Sequence, residues 1–317
     1  MLVVSNYHYI REEFNYKYPS IFGLTPKQFE KQLIALSKLG RFISQAELLD
    51  FIDKPFDKNY ILITFDDGLS EQFNLAKPIL NKLGIPFVFF INTTNYQEKK
   101  VSLVHKTHII RSEISSEEIV RFIEKNFSNR LNEEEKRLAI LNYNYDAAVA
   151  AHLKYLLNFK LNRNEQEEII NPLFDAIRNE KQVNKELYFS KAQLNVLSDE
   201  DALGSHSHSH IPLGIYPEKE IEREFIKTQS FFKNKFNKEA YSISYPYGSY
   251  EACKKVMEIG RDNNFKLGFS MERAVNVHMK VPLMLSRFDC NDLPQGKNDM
   301  FMNKGLFIDS KKSNWYK

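Results

Sequence analysis

The stretch Ile61-Leu62-Ile63-Thr64-Phe65-Asp66-Asp67-Gly68 constrains this chain more than any other. A short apolar, β-branched run reads as a strand buried in a parallel sheet. It stops abruptly at two adjacent carboxylates and a glycine. A core strand has no structural use for two neighbouring acids, because burying unpaired charge is costly. Their place is the strand's carboxyl end, where β/α folds carry their chemistry. Far downstream lies a second polar cluster, Gly204-Ser205-His206-Ser207-His208-Ser209-His210. Two acids with a histidine cluster point to a metal-dependent hydrolase.

The remaining pattern supports a β/α architecture. Residues 2–7 read as a first strand with His8 at its end. Thr25-Pro26-Lys27-Gln28 is a helix start, with Thr25 as cap, Pro26 at the first helical position and Gln28 able to close a capping box. A strand over 60–65, a helix over 72–83 and a strand over 85–91 then imply parallel pairing with helices outside. From 97 to 188 the spacing turns helical, with a capping box at Ser115–Glu118, and the segment reads as a helical insertion in a single domain spanning 1–317. Its Tyr143, Tyr145 and Tyr155 could meet a substrate, although packing is the commoner use of such side chains. The β/α rhythm resumes with a helix over 218–236, a strand over 240–244, a helix over 250–260 and strands over 266–270 and 283–289.

Several function classes recede. A net charge of +3 on 317 residues gives no footprint for nucleic acid. Cys253 and Cys290 are too few for a disulfide framework and fit reduced, cytoplasmic thiols. No apolar run reaches membrane-spanning length, so stable membrane insertion is not expected. The first residues lack a basic and apolar leader pattern, so a cytoplasmic enzyme is expected, provided Met1 is the true start.

Catalytic zinc sites take three protein ligands from histidine and carboxylate, leaving a position for water. His206 and His210 stand four apart, as a helical pair would, but Pro212 and the serines argue against a helix. In extended chain 206, 208 and 210 share a face, so spacing alone leaves His208 open. Of the two aspartates, one would bind metal and the other accept a proton.

These residues resemble a known family. Thr64-Phe65-Asp66-Asp67-Gly68 is similar to the first motif of the polysaccharide deacetylases (NodB-homology, carbohydrate esterase family 4). His206-Ser207-His208-Ser209-His210 matches their second, His-Ser/Thr-x-x-His, and Tyr245-Pro246-Tyr247-Gly248 resembles the third in its Tyr-Pro-x-Gly variant. The resemblance implies a distorted, partly open TIM-like β/α barrel. It implies Asp66 as general base, Asp67, His206 and His210 as ligands of one divalent metal ion, and Tyr247 with Pro246 at the substrate, the Tyr247 N–H serving the oxyanion. The metal is expected to be Zn2+, with Co2+ or Ni2+ as alternatives.

The pattern departs from the family at the acid that protonates the leaving amine. The late Leu-His-Asp-like motif is missing, and the segment there reads Leu285-Ser286-Arg287-Phe288-Asp289, with His278 in a loop upstream. A subset, the biofilm poly-N-acetylglucosamine deacetylases, carries its acid histidine in an early Tyr-His pair, which Tyr7-His8 matches. His8 is therefore the expected acid. The arginine that precedes the third motif in many members is also missing, and Arg287 resembles the late arginine of the Tyr-Pro-x-Gly subset, able to orient Asp66 or hold substrate. The bland readings are a solvated turn for Asp66-Asp67, a surface histidine for His8 and a structural ion pair for Arg287. The function expected is hydrolysis of an N-acyl group, foremost N-acetyl, from a sugar or glycan precursor of surface polysaccharide. An amidohydrolase of small cyclic imides or ureides is the runner-up, and an inactive glycan-binding relative is the third.

Overall fold

The apolar run ahead of Asp66 is a strand, and seven more join it in one parallel sheet among the described residues: β1 (Leu2–Tyr7), β2 (Arg41–Phe42), β3 (Tyr60–Phe65), β4 (Phe87–Ile91), β5 (Leu203–Ser205), β6 (Ser242–Ser244), β7 (Leu267–Phe269) and β8 (Phe288–Asp289). The computed structural model describes residues 1–15, 18, 23–127, 130–144, 146–302 and 304–313. The strands run in the order β7-β6-β5-β4-β3-β1-β8, with β2 beside the first half of β3. The segment after β7 brings the two edges together: Leu285 pairs with Phe269 of β7, and Phe288 and Asp289 pair with Ser5 and Asn6 of β1. The result is the expected distorted, partly open TIM-like β/α barrel.

Alternation along the strands sorts the core into two layers. Leu2 and Val4 of β1, Tyr60 and Leu62 of β3, Val88 and Phe90 of β4, and Leu267 and Phe269 of β7 form one buried cluster, which fills the barrel. Val3, Ile61, Ile63, Phe65, Phe89 and Ile91 belong to a second cluster with helix residues such as Phe29, Leu33, Leu80 and Phe225. The inward parity of β1, β3 and β4 continues through Asn6 and His8, Thr64 and Asp66, and Asn92. The barrel is apolar below and polar at its carboxyl mouth. Gly204 of β5 belongs to this packing, since a Cβ there would lie 2.4 Å from the Phe90 ring and 2.5 Å from Ser242 Oγ.

Local expectations hold with informative exceptions. Thr25 and Gln28 close the capping box of helix Pro26–Ser37, and Ser115 and Glu118 close that of Ser116–Asn126. The helix expected over 72–83 is a π turn, Gln72–Ala76, followed by an α-helix over Lys77–Leu83. Pro78 explains the break, because it cannot donate the hydrogen bond a continuous helix needs at that point. The strand expected over 283–289 is shorter: Pro282–Met284 is a 3-10 turn and only Phe288–Asp289 is strand. Strand β5 gave no signal in the sequence, being three residues long with glycine at its centre and no β-branched residue.

The chain divides into two compact units, Met1–Phe14, Ile21–Lys100 and Asn184–Lys317 forming the first and Asn15–Ser20 and Val101–Val183 the second. The first holds the barrel. The second has no strand among its described residues and packs its helices around Ile109, Ile119, Ile123, Ile169 and Phe174. Tyr143 accepts a hydrogen bond from Asn158 Nδ2 at 2.8 Å, and Tyr155 stacks on Phe159 with ring centroids 5.0 Å apart. Tyr145 lies outside the described residues.

Candidate active site and metal centre

Three loops at the carboxyl ends of β3, β5 and β6 bring the site together. Each carries a non-glycine residue at positive φ: Asp67 at 80°, Ser207 at 64° and His210 at 56°, and Tyr247 at 54°. Such conformations cost energy and persist where surrounding contacts impose them. Here the contacts are visible. The Glu224 carboxylate, on helix Glu218–Phe236, accepts from His208 N at 3.0 Å, Ser209 N at 2.8 Å and Ser209 Oγ at 2.6 Å. His210 N donates to Ser207 Oγ at 3.1 Å, and Asn92 Nδ2 donates to the His206 carbonyl. The 206–210 stretch is not helical, as Pro212 and the serines led us to expect.

Asp67, His206 and His210 converge, with one oxygen and two nitrogens all within 4.8 Å of one another and all three residues buried. Asp67 Oδ1 lies 3.4 Å from His210 Nε2 and 3.7 Å from His206 Nε2. His206 Nδ1 lies 2.8 Å from the Ser244 carbonyl, which can only accept, so that nitrogen carries the hydrogen and Nε2 presents a lone pair to the centre. A carboxylate with two imidazoles is a donor set suited to a divalent transition ion. His208 stands apart from the group: its Nδ1 is 2.8 Å from Thr93 Oγ1 and its Nε2 is 3.2 Å from Glu98 Oε1. Burial lowers its pKa.

Asp66 faces the same space. Arg287, fully buried, donates from Nη1 to Oδ1 at 2.9 Å and from Nη2 to Oδ2 at 2.8 Å. The guanidinium is itself fixed by the Ser270 carbonyl at 3.0 Å and Asn6 Oδ1 at 3.2 Å. Burial alone would raise the Asp66 pKa, but the charge of Arg287, with His206 behind it, outweighs burial and holds the carboxyl well below its usual range. Asp66 is therefore a carboxylate at neutral pH. Its Oδ2 lies 4.0 Å from His206 Nε2 on one side and 3.9 Å from His8 Nε2 on the other.

Tyr247 is half exposed, and its ring meets His210 edge-on with centroids 5.3 Å apart, while the preceding Pro246 is buried. His278 pairs with Pro55 ahead of β3, at the opposite end of the barrel from Asp66. His105 and His108 lie with ring centroids 6.3 Å apart and belong to no three-donor group among the described residues. Reasoning from sequence missed Asn92, Gln72 and Glu224. Glu224 left a signal: it falls three residues after Ile221 and one before Phe225, on the apolar face of its helix. A charged residue there must find a buried partner.

No curated protein matches the chain. Solved structures share the fold. IcaB from Ammonifex degensii is 17% identical, with a TM-score of 0.54 and coverage of 90% of each chain. The deacetylase PplD of Streptococcus pyogenes, solved with acetate, is 16% identical, with a TM-score of 0.51 and 91% of each chain covered. A de-N-acetylase from Aggregatibacter actinomycetemcomitans is 11% identical, with a TM-score of 0.53, covering 90% of this chain and 94% of its own. No helix among the described residues is long and apolar enough to cross a membrane. The polysaccharide deacetylase model matches residues 53–126 and 177–266, more than half of the sequence and the part that carries Asp66, Asp67, His206, His210 and Tyr247, so the chain belongs to the polysaccharide deacetylase family.

Proposed function

We propose that this enzyme removes N-acetyl groups from a sugar or glycan of a surface polysaccharide or its precursor, using one divalent ion held by Asp67, His206 and His210. The observation that carries the reading is the placement of an Arg287-tethered carboxylate, Asp66, beside that donor set with His8 on its other side. A divalent ion held there, Zn2+ foremost, would polarise the acyl oxygen and lower the pKa of water.

The chain's own residues supply the rest. Asp66, held as a carboxylate, accepts a proton from the attacking water as its oxygen bonds to the acyl carbon. The Tyr247 main-chain N–H is assigned to the oxyanion that develops on the former carbonyl oxygen. When the C–N bond breaks, its electron pair goes to nitrogen, and His8 Nε2 delivers the proton that makes the amine a competent leaving group. Arg287 keeps Asp66 ionised and aimed, and Tyr247 lies open at the rim for a sugar face. The products are acetate and a free amine.

Acetate release from N-acetylglucosamine oligomers by zinc-loaded protein tests this reading. We expect turnover in the wild type and a loss of at least ~10²-fold in Asp66→Asn with metal retained, the lower range for a general base. Opening of a cyclic imide with no acetate from any N-acetyl sugar would support the amidohydrolase reading instead.

A further inference from the structure

The β1–β3 ladder ends at the rung between Tyr7 and Phe65. The carbonyls of the next residues, His8 and Asp66, both accept hydrogen bonds from one side chain. Gln72 Nε2 donates to the Asp66 carbonyl at 2.6 Å and to the His8 carbonyl at 2.9 Å, and Gln72 Oε1 accepts from Leu69 N at 3.2 Å. Gln72 is fully buried and opens the π turn Gln72–Ala76. Both amide hydrogens and the oxygen are therefore engaged, and the amide stands in for the next rung of the sheet exactly where the strands part.

The two residues so tied depend on Gln72 unequally. Asp66 is also gripped by Arg287 at both oxygens, and its N–H donates to the Tyr7 carbonyl at 3.0 Å. His8 has a side chain 35% exposed, and its Nε2 stands 3.9 Å from Asp66 Oδ2. The His8 carbonyl takes its hydrogen bond from Gln72, between two flanking ties to the same loop, Asp66 N to the Tyr7 carbonyl at 3.0 Å and Ile10 N to Glu71 Oε1 at 3.0 Å. Loss of the amide would leave Asp66 held by Arg287 and release the His8 carbonyl between those two ties, so that the imidazole shifts from its place beside Asp66.

We infer that Gln72 is a positioning residue that sets His8 for protonation of the departing amine, leaving metal retention and water attack to other groups. The inference rests on the assignment of His8 as the acid. An amide substrate needs that proton, because the nitrogen cannot leave as an anion. An aryl acetate does not, because its phenolate leaves unprotonated.

Zinc-loaded wild type, His8→Ala, Gln72→Met and Gln72→Asn should be compared for kcat and KM on an N-acetylglucosamine oligomer and on 4-nitrophenyl acetate, with bound zinc measured for each. For Gln72→Met we expect kcat on the amide to fall roughly 10²-fold, the cost of an ångström-scale misplacement of a reacting group. KM, zinc content and ester turnover should stay within about threefold, since the ester step uses no general acid. If Gln72→Met does not fold, the shorter amide of Gln72→Asn decides by the same amide-to-ester ratio. Equal losses on both substrates, or unchanged amide turnover, would overturn the inference. A selective amide loss in His8→Ala but in neither Gln72 variant removes the positioning role alone. No selective loss in His8→Ala removes the acid assignment on which it rests.

Discussion

Asp66 and His8 approach the same space from adjacent strands, yet the fold holds them in contrasting ways. The Asp66 side chain is 3% exposed and gripped at both oxygens by a buried guanidinium, and the neighbouring 206–210 loop is pinned by Glu224. The His8 side chain is 35% exposed and tied through its main chain to Gln72. The contrast fits two chemical duties. A base and a ligand set gain from pre-organisation, because every fixed dipole is in place before charge develops. An acid that must recover a proton from solvent after each turnover gains from access to water.

The comparison is broken most completely on the rigid flank. His206→Ala should lose bound metal, measured by elemental analysis of protein purified without chelator, together with all acetate release. Metal retained at the wild-type level would remove His206 from the ligand set. Arg287→Met should destabilise the fold by about 3–5 kcal/mol, because it leaves a buried carboxylate uncompensated. It should also change the acid limb of stability. The folded Asp66 pKa is depressed, so its pair with Arg287 contributes fully above the unfolded carboxylate value of about 3.9 and loses that contribution as pH falls toward the folded value. Denaturant midpoints between neutral and acid pH should therefore fall less steeply in Arg287→Met than in the wild type.

A smaller effect sharpens the comparison. Glu224→Gln keeps the shape but weakens the acceptor for His208 N and Ser209 N, and should weaken zinc affinity by about 10-fold, the lower range for a residue that orients ligands without binding metal. Competition against a chelating dye reads it, and unchanged affinity would leave Glu224 a purely structural clamp. Thr25→Ala, in a capping box of helix Pro26–Ser37, should cost about 1 kcal/mol of stability and leave kcat unchanged.

Much of this was legible in the residues because the physics that makes the barrel also marks its mouth. The short β-branched run ahead of Asp66 reads as a buried strand, and the cost of burying unpaired charge puts the acids after it at its end. Thr25-Pro26-Lys27-Gln28 announced its helix by local chemistry alone. Strand β5 was hidden because three residues with a central glycine carry neither periodicity nor propensity; its register comes from Phe89, Phe90 and Ile91 of β4. The late strand was overread because the apolar residues of 283–289 serve a turn and a bridge before they serve β8. Gln72 could not be found, since a glutamine at the start of a helical segment signals nothing until both carbonyls it serves are seen.

Titration of metal-free protein with zinc, following acetate release from N-acetylglucosamine oligomers against bound metal, tests the central claim most directly. The account predicts that turnover rises in proportion to bound zinc and stops rising at about one ion per chain, as for a mononuclear catalytic site. One ion bound without acetate release from any N-acetylated glycan, or full turnover by chelator-treated protein without bound metal, would contradict it.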